Sequence, residues 1–154
     1  MEKLNALVTM LRDAKAIAPE RIEAVVESGE TEFSGSRAGA DLLLYRLRYT
    51  AAVELQCVSG SLTHLLALVT VWLAEQGGDA EHNRLVGFEG EPVDGQRSDL
   101  TLRFELEEDV RYLPAEPGYT GPDRITYAGA EWKSGSAAPD LALSVEGLVV
   151  QALA

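Results

Sequence analysis

The feature that most constrains the fold of this chain is a long alternation of apolar and polar residues at positions 45–57, YRLRYTAAVELQC. The stretch contains no glycine or proline, so nothing in it interrupts an extended backbone. Successive side chains of a strand point to opposite sides, and the pattern therefore predicts a two-faced strand over about residues 41–58. The apolar face would carry Tyr45, Leu47, Tyr49, Ala51, Val53, Leu55 and Cys57, and the polar face Arg46, Arg48, Thr50, Glu54 and Gln56, with Ala52 among them.

A second stretch, DLTLRFELEEDVRY at positions 99–112, repeats this design. Clean alternation is typical of an antiparallel sheet with one buried and one polar face, whereas parallel strands are apolar on both faces. Within NRLVGFEGEPVDGQRSD, residues 83–99, a further strand is expected, followed by a turn-rich loop. The apolar face of the second stretch would carry Leu100, Leu102, Phe104, Leu106, Val110 and Tyr112, and its polar face Asp99, Thr101, Arg103, Glu105, Glu107, Asp109 and Arg111; Glu108 is the one lapse.

Two amphipathic helices are predicted. Leu4, Leu7, Val8 and Leu11 follow helical spacing, which places the first helix at about residues 2–17, with Pro19 preventing a longer one. Ser61 stands where an N-cap is expected and Gly77 where a helix ends, which bounds the second helix. Its apolar face would carry Leu62, Leu65, Leu66, Val69, Trp72 and Leu73.

Between the first helix and the long strand, the sequence predicts a β-hairpin at residues 21–33, with the turn at SGE and a return strand beginning at TEF. The following SGSRAGAD has the composition of a mobile loop. Together these elements predict the α+β class: a twisted antiparallel sheet with two helices packed on one face.

The character of the chain changes after Leu113. Residues 114–140 are rich in Pro, Gly and Ser but contain three aromatic residues, and the end, LALSVEGLVVQALA, is apolar again. We therefore predict one domain at residues 1–113 and, at 114–154, an extended arm with an apolar docking segment at its C-terminus. The alternative is a poorly ordered tail.

Composition narrows the possible partners. The formal net charge is −12 and there is no basic run, which argues against binding nucleic acid through its phosphates. The excess of acidic residues favours solubility, or it favours binding to a basic partner. Cys57 is the single cysteine, so no intrachain disulfide can form, and we expect it in the core. The N-terminus lacks the apolar core of a signal peptide and no segment has the length of a membrane span, so a soluble protein made in the cytoplasm is expected.

The sequence offers little support for catalysis. His64 has no helical partner for a metal, and His82 lies in a loop-like segment. Glu105, Glu107 and Asp109 point the same way along one strand face, as a solvated row of carboxylates does. No phosphate-binding loop, nucleophile elbow or metal-ligand motif occurs. We predict neither an enzyme nor a cofactor or metal site.

The chain resembles the tail completion, or tail terminator, protein of contractile-tailed temperate phages. The likeness covers about residues 2–113 and rests on YRLRYTAAVEL, on LLALVTVWLAEQ with its late Trp, and on DLTLRFELEEDV. The family's helix often ends in Gln-Pro, whereas here Gly77 follows Gln76. The resemblance implies a small α+β subunit of a hexameric ring that caps the head-proximal end of the tail tube in the virion. Such a ring stops tube polymerisation, holds the last sheath layer and attaches to the head or neck, without catalysis.

Two alternatives stay open: another phage neck or tail-tube protein, and a non-viral α+β ligand-binding domain or small enzyme using the face of Glu105 and Glu107. In the terminator interpretation, the polar side of the long strand faces the tube lumen, a tube subunit or solvent. Contacts with tube or ring neighbours are expected at Glu30, Glu32 and Phe33 on the hairpin tip. Arm anchors on a neighbour, sheath or neck protein are expected at Tyr119, Arg124, Tyr127 and Trp132, with Trp132→Ala weakening assembly but leaving the monomer folded.

Overall fold

A computed structural model describes residues 1–15, 17–135, 141–144 and 149–152. The described residues form two helices and eight strands. They are α1 (Glu2–Asp13), β1 (Arg21–Ala38), β2 (Asp41–Ser59), α2 (Leu62–Glu75), β3 (Arg84–Pro92), β4 (Arg97–Pro114), β5 (Arg124–Tyr127), β6 (Ala130–Ser134), β7 (Leu141–Ser144) and β8 (Val149–Ala152). One sheet has the order β5-β6-β4-β2-β1-β8-β7, and β3 pairs with β4 beside this path. The predicted α+β class is confirmed.

Both helices form where the apolar spacing predicts them. The apolar residues predicted for the buried side of α1 are all fully buried: Leu4, Leu7, Val8 and Leu11. Leu4 N donates a hydrogen bond to the Tyr49 hydroxyl at 3.2 Å, which connects the helix to β2. The helix ends at Asp13, four residues before the predicted end at 17, because the chain tightens into short turns, with Ala14 N donating to Leu11 O.

The caps of α2 lie as the sequence predicts. The Ser61 hydroxyl accepts from His64 N at 3.2 Å. At the other end Gly77 has φ +73°, and Gly78 N donates to Leu73 O at 2.8 Å, which is the pattern of a Schellman motif. The side chains Leu65, Val69, Trp72 and Leu73 are buried.

The predicted hairpin at residues 21–33 and the predicted loop after it are wrong. β1 runs without a break from Arg21 to Ala38, and the turn to β2 lies at Gly39, which has φ +67°. Gly29, in the expected turn, instead permits close approach of two strands, since a Cβ there would lie 3.3 Å from Arg48 O. Ser28 Oγ also shares a hydrogen bond of 2.8 Å with Thr50 Oγ1, so the small polar residues belong to the strand pairing.

The placement of Cys57 in the core is wrong as well. Cys57 has φ +54°, which interrupts the alternation of β2, and Val58 takes the buried position in its place. Cys57 is half-buried, and its N–H donates to Asp99 Oδ1 at 2.8 Å. Burial and a hydrogen bond with Glu20 raise the pKa of its thiol.

The chain divides into two compact units. Unit 1 comprises Met1–Gly29, Arg48–Glu107 and Pro139–Ala154, and unit 2 comprises Glu30–Leu47 and Glu108–Ala138. Both helices and β3 belong to unit 1, whose core includes Leu4, Leu7, Leu11, Val53, Leu55, Leu65, Leu102, Phe104 and Leu106. In unit 2, Leu42 and Trp132 are buried.

Part of the predicted arm is sheet. β5 and β6 form a hairpin, and β6 pairs with the end of β4 in the register Tyr112↔Ser134 to Pro114↔Trp132. Extended, Pro-rich composition therefore does not keep residues 124–134 apart from the sheet. Within the predicted docking segment, β8 pairs with β1 and β7 with β8, while 145–148 and 153–154 lie outside the described residues. The predicted division at residue 113 and the docking role stay predictions.

Candidate functional site

All the residues that the sequence predicts as partner-binding belong to unit 2. Glu30, Glu32 and Phe33 lie in the second half of β1, and the predicted arm anchors lie in the segment before and within the β5–β6 hairpin. The sequence treats these as two separate regions. The fold places both in the same compact unit, unit 2.

Phe33 and Tyr127 form an aromatic pair that joins β1 to β5. Their ring centroids are 5.9 Å apart with an interplanar angle of 70°, an edge-to-face geometry that aromatic rings favour. Phe33 is nevertheless 66% exposed, while Tyr127 is half-buried. The pair therefore presents a large apolar side chain to solvent in a fixed orientation.

Gly35 makes this arrangement possible. Its φ of +65° is unfavourable for residues with a Cβ, and a Cβ there would lie 2.6 Å from Phe33 Cζ and from the Tyr127 hydroxyl oxygen. Phe33, Gly35 and Arg37 occupy alternate positions of β1, separated by serines. These five positions carry no alternation of apolar and polar side chains, because Phe33 is the one large apolar residue among them, so the sequence gives no strand signal here.

Trp132 is a buried residue of unit 2. The ring is 2% exposed, its Nε1 donates to Tyr127 O at 3.2 Å, and Arg37 Cζ lies 4.5 Å from its centroid. Arg37 was missed by sequence reasoning because it lies within SGSRAGAD, the segment assigned to a loop. A partner contact through Trp132 would have to involve the guanidinium that lies over its ring.

Tyr119 and Arg124 organise the segment before β5. The Tyr119 hydroxyl donates to Pro122 O at 3.1 Å, and Arg124 Nη1 donates to Tyr119 O at 3.0 Å. Lys133 Nζ lies 5.3 Å from the Tyr119 ring centroid and donates to Glu116 at 2.9 Å, which lowers the pKa of that carboxyl. These contacts hold the segment in place, and the partner-binding role of both residues stays a prediction, as it does for the exposed Glu30 and Glu32.

The carboxylate row on β4 is paired with arginines of neighbouring strands. In unit 1, Arg84 Nε donates to Glu105 at 2.9 Å and Arg48 Nε to Glu107 at 3.0 Å. In unit 2, Arg46 Nε donates to Asp109 at 3.2 Å. The polar face of β2 therefore looks onto carboxylates of β4, and each of these acids serves an ion pair. Among the described residues, no three His, Cys, Asp or Glu side chains lie together as metal ligands would.

Comparison with known families decides the broader identity. The family model of the P2 phage tail completion protein R (GpR) matches residues 1–133. The chain belongs to this family. No curated protein and no solved structure matches the chain significantly. The resemblance to tail completion proteins is confirmed, and this GpR-family protein acts in phage tail completion as a structural component.

The extent of the family match agrees with the fold of the GpR-family protein. The match to the family model continues past residue 113, where the resemblance noted from sequence ends, and includes β5 and most of the β5–β6 hairpin. The aromatic pair and Trp132 therefore lie inside the matched region. Neither of the described helices has the length and apolar character needed to cross a membrane.

Proposed function

We propose that this GpR-family protein is the tail terminator of a contractile phage or of a headless, phage-tail-like particle. It forms a hexameric ring at the head-proximal end of the tail, stops polymerisation of tube and sheath, and provides the surface to which the head or neck attaches. The observation that carries the proposal is the tail completion family match over residues 1–133, which includes residues of both units. Its partners are further copies of itself and the tube, sheath and neck or head-completion proteins.

The charge distribution suits a subunit through which DNA passes. The arginines on the polar face of β2 are engaged by Glu107 and Asp109 of β4, so they do not form a patch that would bind phosphates. With a formal net charge of −12, a lumen lined by this chain would repel the DNA backbone. Low affinity for the transported polymer is what a conduit requires.

Deleting the gene and imaging the particles by negative-stain electron microscopy tests the function. Overlong or open-ended tails, restored to finished tails by the wild-type gene in trans, are expected for a terminator. Tails of normal length that fail to join heads would instead assign the protein to the neck. Normal, finished particles would contradict both roles.

A further inference from the structure

Phe33 has the properties of a preformed binding anchor. It is 66% exposed, yet its ring is oriented by the edge-to-face contact with Tyr127 and by the space that Gly35 leaves. Aromatic side chains dominate the energetics of protein interfaces. An anchor that is already ordered also loses little conformational entropy when it binds.

Unit 1 contains an apolar cavity that could receive such an anchor. Its volume is about 240 Å³, and it lies between the start of α2 and the β3–β4 hairpin. The described lining residues are Val58, Gly60, Leu62, Gly90, Pro92, Gln96, Ser98 and Leu100. Because an apolar cavity of about 150 Å³ is enough to hold benzene, this one has room for a phenyl ring.

The polarity of the cavity suits the segment that carries Phe33. Glu30 and Glu32 precede Phe33 on β1, so the anchor comes with acidic neighbours. None of the described residues lining the cavity is charged, and Gln96 and Ser98 can donate hydrogen bonds to an incoming carboxylate or backbone carbonyl. In a chain of net charge −12, an uncharged lining removes repulsion at the point of insertion.

We propose that Phe33 of one copy inserts into the apolar cavity of the next copy of this chain. Anchor and cavity are different surfaces of the same protein, so their contact is head-to-tail, and a head-to-tail contact closes into a ring when its rotation allows. The inference rests on the ring in the proposed function and names the contact that builds it. It also explains why an aromatic side chain is held exposed.

Two full-length variants test the two halves of the contact. Phe33→Ala removes the anchor and keeps the cavity, whereas Leu62→Trp, at a position 39% exposed, fills the cavity mouth and keeps the anchor. Val71→Ala is the matched control, since Val71 is 59% exposed and belongs to neither half. Sedimentation velocity, with circular dichroism to confirm folding, should give rings for the wild type and for Val71→Ala. It should give monomers, with association weakened at least about tenfold, for the other two.

Mixing the two variants gives the decisive measurement. The anchor of Leu62→Trp can enter the cavity of Phe33→Ala, so the mixture should form a dimer and no larger species. Rings from either variant alone, or a mixture that stays monomeric, would overturn the inference. A wild-type protein that is monomeric at all concentrations would also overturn it, while the tails of the gene deletion would still report separately on tail completion.

Discussion

The guanidinium carbon of Arg37 lies 4.5 Å from the centroid of the Trp132 ring. Arg37 belongs to β1 and Trp132 to β6, and β2 and β4 separate these strands in the order of the sheet. Within unit 2 the sheet must therefore curve until its non-adjacent strands meet. The contact explains why Trp132, predicted from sequence as an anchor for a partner, is 2% exposed.

Replacing Trp132 by alanine should therefore destabilise unit 2 itself. Removing a buried aromatic ring costs about 3–5 kcal/mol, and the hydrogen bond from its Nε1 to Tyr127 O is lost too. This replaces the sequence-based expectation that the monomer would stay folded. Urea denaturation of Trp132→Ala should show the loss, and Trp132→Phe, which keeps a ring under Arg37, should lose less. Equal stability of Trp132→Ala and the wild type would contradict a core role.

Asn83 should be the most sensitive polar residue of unit 1. It is 7% exposed; its Oδ1 accepts from Glu107 N at 2.9 Å and from Lys3 Nζ at 3.1 Å, and its Nδ2 lies 3.4 Å from Gln76 O. One side chain thus connects α1, β4 and the end of α2. Asn83→Ala should cost about 2–4 kcal/mol, because buried donors and acceptors would lose their partners.

A glycine variant separates the side-chain bonds of Asn83 from its backbone conformation. Asn83 has φ +48°, which costs a residue with a Cβ about 1–2 kcal/mol and a glycine little. Asn83→Gly should therefore be more stable than Asn83→Ala by about 1 kcal/mol while remaining below the wild type. Chemical denaturation measures both. A glycine variant as stable as the wild type would show that the hydrogen bonds contribute little.

Local sequence signals predicted the parts of the fold that depend on local interactions. α2 begins and ends where Ser61 and Gly77 place it, because capping involves residues within one turn of each other. β1 was misjudged for the opposite reason. Its Ser and Gly residues favour turns in isolation, and pairing with a distant strand overrides them, as the contact between Ser28 and Thr50 shows.

The candidate site shows the same limit. Aromatic and arginine side chains identified Phe33, Tyr127 and Trp132 as residues of interest. Their meeting depends on the curvature of the sheet in unit 2, which no pattern along the chain records. The difference between the two side chains also becomes visible only in the structure, since Phe33 is 66% exposed and Trp132 is 2% exposed. Residue type drew attention to these side chains, and burial distinguishes the exposed Phe33 from the core side chain of Trp132, while a partner-binding role for either stays a prediction.

The ion pair of Arg48 and Glu107 should contribute little to stability. The side chains are 44% and 18% exposed, and water screens such pairs to about 0.2–1 kcal/mol. A double-mutant cycle with Arg48→Met and Glu107→Gln, followed by urea denaturation, should return a coupling energy in this range. Arg84 and Glu105, at 2.9 Å with side chains 38% and 40% exposed, provide a matched pair. A coupling above about 2 kcal/mol would indicate a desolvated pair and a structural role that the exposure does not predict.

Asp94 should make the β3–β4 hairpin sensitive to acid. Its Oδ1 accepts from Gln96 N and Arg97 N, both at 2.8 Å, and its Oδ2 accepts from Arg97 Nε at 2.9 Å. These bonds, the one from Gln96 foremost, lower the pKa of the Asp94 carboxyl. A carboxyl whose pKa is lower in the folded state stabilises the fold above its unfolded pKa of about 3.9, and this stabilisation is lost as the pH falls through the folded pKa.

The urea concentration at the midpoint of unfolding should therefore be lower at a pH below the folded pKa of Asp94 than at pH 7. The fall should be smaller for Asp94→Asn, whose amide oxygen can still accept from the turn, than for the wild type or for Glu91→Gln in the same hairpin. An unchanged fall in Asp94→Asn would assign the acid sensitivity to other carboxyls.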